Sequence, residues 1–186
     1  MKNIQKCLIV LLTLCGMLCA AAPPGVFLDV PFVKQERNGC GAASIAMVMQ
    51  YWQRQRNRPS DAGSDPEQIQ RTLYSRQAHG IYASDLENYL ERHGLRTFAF
   101  RGEWGDLQQH LGKGRPLIVA LKPHSGDALH YVVVAGVDGE RSLVLVNDPG
   151  ERKLLQQNRS EFERAWKGAG NWTLLAIPRE DASSGR

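Results

Sequence analysis

Apolar and polar positions change their spacing several times along this chain, and the changes outline its elements. Val26 to Val33 forms a short strand-like run interrupted by Pro31 and leads into the polar turn Lys34 to Gly39. From Cys40 to Trp52 the period becomes helical, with Ile45, Val48, Met49 and Trp52 spaced as in a buried helix that Cys40 opens. The polar stretch Gln53 to Asp65, with Pro59 and Gly63, reads as an exposed loop. Three Ser-x-x-Glu boxes then predict helix starts: Ser64 to Glu67 for a helix reaching Ser75, Ser84 to Glu87 for one ending at Gly94, and Ser160 to Glu163 for a late helix through Trp166.

Strand patterns occupy Leu95 to Phe100, Pro116 to Leu121, His130 to Val137, Leu143 to Val146 and Trp172 to Ile177, with Asp138-Gly139 as a hairpin signal. Helices come first and antiparallel strands later, which predicts an α+β fold rather than a doubly wound sheet. No repeat, low-complexity tract or linker divides the chain.

The first residues do not belong to this pattern. Lys2 and Lys6 precede the apolar run Leu8 to Leu18, and Ala20 to Ala22 follow, the order of a secretory signal peptide. The run is shorter than the ~20 residues a membrane span requires. We therefore expect a signal at 1–22, one domain at 23–180 and a disordered tail at 181–186. The expected location is the periplasm or outside the cell, without stable membrane insertion once the signal is cut. Cys15 and Cys19 each follow a leucine, an unfavourable setting for lipidation.

Signal removal changes the meaning of composition. Of the four cysteines, Cys7, Cys15 and Cys19 lie in the signal, so Cys40 is the one expected to remain. A lone thiol in an oxidising compartment has no structural partner. Two of the 23 basic residues also leave, against 19 acidic ones that stay, so the balance falls to about +2. Arg54, Arg56 and Arg58 have no aromatic interleaving and read as a solvated helix end; no nucleic-acid partner is expected.

Cys40 at a helix N-terminus meets the partial positive charge that favours thiolate. Gly39 and Gly41 beside it suit a sharp entry and close approach of a substrate backbone. Acyl transfer also needs donors for an oxyanion, and the Cys40 N–H and the Gln35 amide are the candidates. Five histidines compete for the role of base. His79, His93 and His110 sit near glycines or on polar helix faces and read as surface residues, and His124 lies in a loop. His130 opens the apolar run Tyr131 to Ala135 and is held at a strand end.

Hairpin counting supplies a third member. A three-residue loop Asp138-Gly139-Glu140 pairs Val137 with Arg141 and sets His130 opposite Asp148, with Cβ atoms about 5 Å apart. A carboxylate there would hold the imidazole tautomer. Asp148-Pro149-Gly150 also reads as a strand-ending turn, and Asn147 is an alternative orienting residue. His124, Asp127 and His130 carry metal-ligating atoms, but in no recognised metal spacing.

Val30-Pro-Phe-Val-Lys-Gln35, Asn38-Gly-Cys-Gly-Ala-Ala-Ser44, His130-Tyr-Val-Val-Val134 and Asn147-Asp-Pro149 together resemble the C39-like peptidases. This papain-fold group is related to the leader-cleaving domains of bacteriocin exporters. Gly80 to Glu87 and Gly114 to Val119 extend the resemblance over nearly the whole mature chain. It implies N-terminal helices packed on a C-terminal antiparallel sheet, with Cys40 as nucleophile, His130 as general base and acid, Asp148 as orienting residue and Gln35 as oxyanion donor. It implies no cofactor, and a peptide or protein substrate, such as a client of an export or surface-assembly system. Exporter-fused members cut after paired glycines beside an ATPase; this chain shows a signal instead, so that specificity is not carried over. Transglutaminase-like or arylamine acetyltransferase-like enzymes use Cys, His and Asp in the same order, and a non-catalytic peptide-binding module is the other alternative.

Overall fold

The computed structural model describes residues 25–123 and 128–179, so the signal stretch and the tail expected at 181–186 lie outside the described residues. The chain runs β1 (Val26–Phe27), α1 (Cys40–Gln55), α2 (Pro66–Leu73), α3 (Ala83–Arg92), β2 (Leu95–Arg101), α4 (Trp104–Gly112), β3 (Leu117–Leu121), β4 (His130–Asp138), β5 (Leu143–Asn147), β6 (Leu155–Asn158), α5 (Arg159–Gly168) and β7 (Trp172–Pro178). The strands form one antiparallel sheet in the order β2-β7-β3-β4-β5-β6, with β1 added to β4.

Alternation along β3 and β4 splits the core between the two faces of this sheet. Ile118, Ala120, Tyr131, Val133 and Ala135 pack with α1, α2 and α3, while Leu117, Val119, Leu121, Val132 and Val134 pack with Leu107 and Leu111 of α4 and Phe162 and Trp166 of α5. Both faces are covered, so β3 is buried at every position. The expected α+β fold is present, with helices on both faces rather than an N-terminal helical layer alone. Helix α1 is buried from Gly41 to Met49 and pinned to the sheet through Trp52 Nε1, which donates to the Ala176 carbonyl at 2.8 Å.

The Ser-x-x-Glu boxes mark the right neighbourhoods but the wrong caps. Asp65, not Ser64, accepts from the Glu67 N–H and starts α2, because Pro66 fits the first helical position; Ser64 belongs to a preceding 3₁₀ turn capped by Asp61. Helix α2 ends at Leu73, short of Ser75, and α3 and α5 begin one residue before Ser84 and Ser160 without a side-chain cap. Two elements carried too little pattern to be read. Helix α4 is closed by a reciprocal Glu103–Asp106 box and holds glycines at 105 and 112, and β6 (Leu-Gln-Gln-Asn) is a polar edge strand. The strand expected to Val33 stops at Phe27; beyond it the chain is held by the Leu28 N–H on the Ala135 carbonyl and by Asn147 Nδ2 on the Val30 and Pro31 carbonyls.

The β4–β5 hairpin corrects the counting above. Asp138 pairs with Leu143 across a four-residue loop, so β4 runs one residue further and β5 starts two residues later than in the expected register, and a β-bulge at Ala135 then shifts the ladder so that Val133 pairs with Asn147. The loop change alone would turn Asp148 to the opposite face. The bulge restores it, two positions away from direct opposition. Gly136, beside the bulge, lies against β1: a Cβ there would stand 2.8 Å from both the Val26 carbonyl oxygen and Phe27 Cβ. Gly136→Ala should therefore destabilise the fold by about 1–3 kcal/mol, read as a lower urea midpoint at unchanged slope.

Candidate active site

Cys40 is the first residue of α1 and is a free, half-buried thiol. The sharp entry into the helix is made by Asn38, whose φ of 57° is left-handed, and not by Gly39, whose φ is −101°. Glycine is needed at 39 and 41 for space: a Cβ would lie 3.0 Å from the Glu36 carbonyl oxygen at the first and 3.1 Å from Ile81 Cβ at the second. The N-terminus has no side-chain cap and no acid in its first turn, so its partial positive charge is not neutralised locally.

Across the cleft His130 opens β4, and its Nε2 hydrogen-bonds Asp148 Oδ1 at 2.7 Å. With Nε2 so engaged, Nδ1 is the ring nitrogen left to face the thiol. Asp148 Oδ1 also accepts from the Gly150 N–H at 2.9 Å, within the Asp-Pro-Gly turn. The turn reading and the orienting position thus coincide. Asn147 is fully buried and engaged elsewhere: its Nδ2 holds the Val30 and Pro31 carbonyls and its Oδ1 accepts from the Leu154 N–H, so it does not orient the ring.

The three groups form one electrostatic unit. Burial by itself would raise the Cys40 thiol, but hydrogen bonding to His130, the Tyr131 N–H, the imidazolium charge and the Gly41 N–H outweigh it and hold the thiol below its ordinary value. For His130, burial opposes the charged form, yet the hydrogen bonds to Asp148 and Cys40 and their charges push the imidazole up to about 10. Asp148 is also buried, and His130 and the Gly150 and Glu151 N–H groups keep its carboxyl below the usual range. The arrangement favours a thiolate–imidazolium pair at neutral pH.

Gln35 lines the same cleft, which measures about 650 Å³ and includes Cys40, Ile81, Tyr82, Leu129 and His130 in its walls. The Gln35 N–H donates to the Pro149 carbonyl at 3.0 Å, so the loop bearing the amide is fastened to the turn bearing Asp148. Its buried Oε1 has no partner among the described residues. The Tyr131 N–H was not foreseen as a thiol donor, although its place after His130 offered the signal. The Tyr131 ring packs edge-on against Trp172 at 5.5 Å between centroids, and burial, then the charges of Cys40 and Glu87, push its phenol up to about 12.

The other histidines are placed as follows. His79 is exposed on the rim of the cleft, and His93 is exposed with Nδ1 against the Tyr89 carbonyl. His110 departs from the expected surface setting: its Nδ1 is enclosed without a partner, the ring stands 6.0 Å from that of Phe100, and burial, then Arg115, lowers its pKa. His124 and Asp127 lie outside the described residues.

Asp148→Asn keeps an acceptor for the Nε2 hydrogen and removes the charge. The His130 pKa should fall by about 1–3 units, moving the alkaline limb of turnover down by that amount. Turnover at neutral pH should drop about 10- to 100-fold. An unmoved limb would show that Asp148 does not govern the imidazole.

The same chain topology recurs in solved structures. A crystal structure described as a C39-like peptidase from Bacillus anthracis superposes with a TM-score of 0.66 at 19% identity, covering 84% of this chain and 99% of that one. A double glycine motif protease from an AMS/PCAT transporter, in complex with its leader peptide, gives 0.63 at 24%, covering 83% and 95%. Xylellain, a cysteine protease from Xylella fastidiosa, gives 0.52 at 14%, covering 87% and 88%. No curated protein sequence matches. The sequence profile of the Peptidase_C39 like family matches residues 27–174, the span that contains all five helices, β2 to β6 and the Cys40–His130–Asp148 cluster, and the chain belongs to this family of cysteine-type peptidases with a papain-like fold.

Proposed function

We propose that this protein is an exported cysteine peptidase that cuts peptide bonds of a protein or peptide client through Cys40, His130, Asp148 and Gln35. The observation that carries the reading is the position of His130 between a helix-opening thiol and a buried carboxylate 2.7 Å away. In this mechanism the Cys40 thiolate attacks the peptide carbonyl, and the oxyanion is met by the Cys40 N–H and the Gln35 amide. His130 gives its proton to the departing amine, leaving a thioester on Sγ. Water, deprotonated by His130, then releases the acid and restores the thiol. Asp148 keeps the ring oriented through both transfers.

Export rests on the order of basic, apolar and small residues over 1–22, and a client in secretion or surface assembly follows from that location. A leader peptide occupies one of the structural neighbours, which supports a peptide as the occupant of this cleft. Incubation with a proteome-derived peptide mixture, followed by mass spectrometry of new termini, tests the reading. Wild type should generate pairs of new N-termini and free carboxylates that Cys40→Ala does not. Amides with added amine in preference to free acids would overturn hydrolysis in favour of acyl transfer.

A further inference from the structure

A substrate that reaches Cys40 and His130 must enter the cleft that both residues line, so the other polar side chains of that cleft are placed to meet it. Two of them, Asn38 and His79, are held in the left-handed region, with φ of 57° and 48°. Such a conformation is uncommon outside glycine and persists where the surroundings enforce it, often at a ligand site. The surroundings of His79 do so. Ser75 and Gly80 close the loop by exchanging N–H···O bonds of 2.8 and 3.3 Å, the Ser75 hydroxyl accepts from the Ala78 N–H at 3.3 Å, and the His79 N–H donates to the Arg76 carbonyl at 3.4 Å. The backbone of His79 is thereby fixed, while its ring stays exposed at the rim of the catalytic cleft.

The lining of the cleft sets what His79 can take. Beyond Gln35, Cys40, His130 and its neighbour Tyr131, the polar side chains of the wall are Asn38, His79 and Tyr82, each able to donate a hydrogen bond, and no described residue of the wall carries a carboxylate. Asp148 lies behind His130, bonded to the ring through Nε2. Asn38, whose carbonyl accepts from Gln70 Nε2 of α2 at 3.5 Å, brings its carboxamide to the same α2 side of the cleft as the loop of His79. Arg76, exposed in that loop, adds charge of the same sign. A lysine or arginine of a substrate would find no acid among these residues, whereas an aspartate or glutamate finds donors and no competing carboxylate. Resting on the peptidase reading, we infer that His79 determines specificity, its imidazole donating to an aspartate or glutamate side chain of the substrate beside the scissile bond.

A proteome-derived peptide mixture tests this by internal competition. At each position flanking the cut bonds, mass spectrometry gives the ratio of Asp and Glu to their amides Asn and Gln, relative to the uncut mixture, and the amount of active enzyme cancels. Wild type should enrich the acids about three-fold at one position. His79→Gln should bring that ratio near one, His79→Arg should keep it, and His79→Glu should shift the preference there to lysine and arginine. His79→Gly removes the ring and suits the left-handed backbone, so it should lose the preference with a urea midpoint no lower than that of wild type, which separates recognition from folding. A ratio near one in wild type, or the same ratio in all five proteins, would overturn this inference while leaving the peptidase reading intact. No new termini from any of them, beyond those seen with Cys40→Ala, would overturn the peptidase reading and this inference with it.

Discussion

Cys40→Ala should leave a folded protein that no longer turns over peptides, with kcat/KM reduced by at least about 10⁴-fold, equivalent to about 5.5 kcal/mol of transition-state stabilisation. The loss is large because no other thiol is present among the described residues and no neighbouring side chain can form the thioester. The fold should survive, since Cys40 is half-buried and helix α1 is secured by the packing of Ile45, Met47 and Val48 rather than by its first residue. Parallel unfolding curves and kinetics make the check. Residual turnover above about one part in 10³ would place the chemistry on another residue.

His130→Ala should have the second largest effect, about 10³- to 10⁴-fold in turnover, and should also change the thiol itself. In the wild type the thiol is held below its ordinary value and the imidazole is raised to about 10. Alkylation by iodoacetamide should therefore rise with pH at a midpoint below the unperturbed ~8.5, as the thiolate forms. Turnover should fall on the alkaline side as the imidazolium loses its proton near 10, since the leaving amine is then left without its donor. Without His130 the hydrogen bond and charge that favour the thiolate are gone while the burial penalty stays. The midpoint should move up to the unperturbed value or beyond, and the alkaline limb should vanish. An unchanged alkylation profile would show that His130 does not control Cys40.

How much of this was legible in the sequence differs by element, for physical reasons. The opening of α1 at Cys40 and the run from His130 to Val137 are dictated by strong local periodicity, and both lie where the pattern puts them. The helix caps were misread because Ser-x-x-Glu competes with stronger local chemistry, as Asp65 before Pro66 does for α2. Helix α4 hid behind two glycines and an unusual Glu–Asp cap, and β6 has no apolar alternation because it lies at a sheet edge. The adjacency of His130 and Asp148 was reached by an incorrect route. The loop is four residues and not three, and the bulge that compensates has no sequence signature apart from Gly136. The fastening of Gln35 to Pro149 is a tertiary fact that no local window contains.

The bulge at Ala135 also constrains how this hairpin can change over evolutionary time. Strand residues alternate faces, so gain or loss of one residue in the β4–β5 turn would rotate Asp148 away from His130. Two such changes, one in the turn and one at the bulge, cancel. Insertions and deletions here should therefore be tolerated in even numbers, and a relative with a shorter turn should have straightened its strand at the position of Ala135.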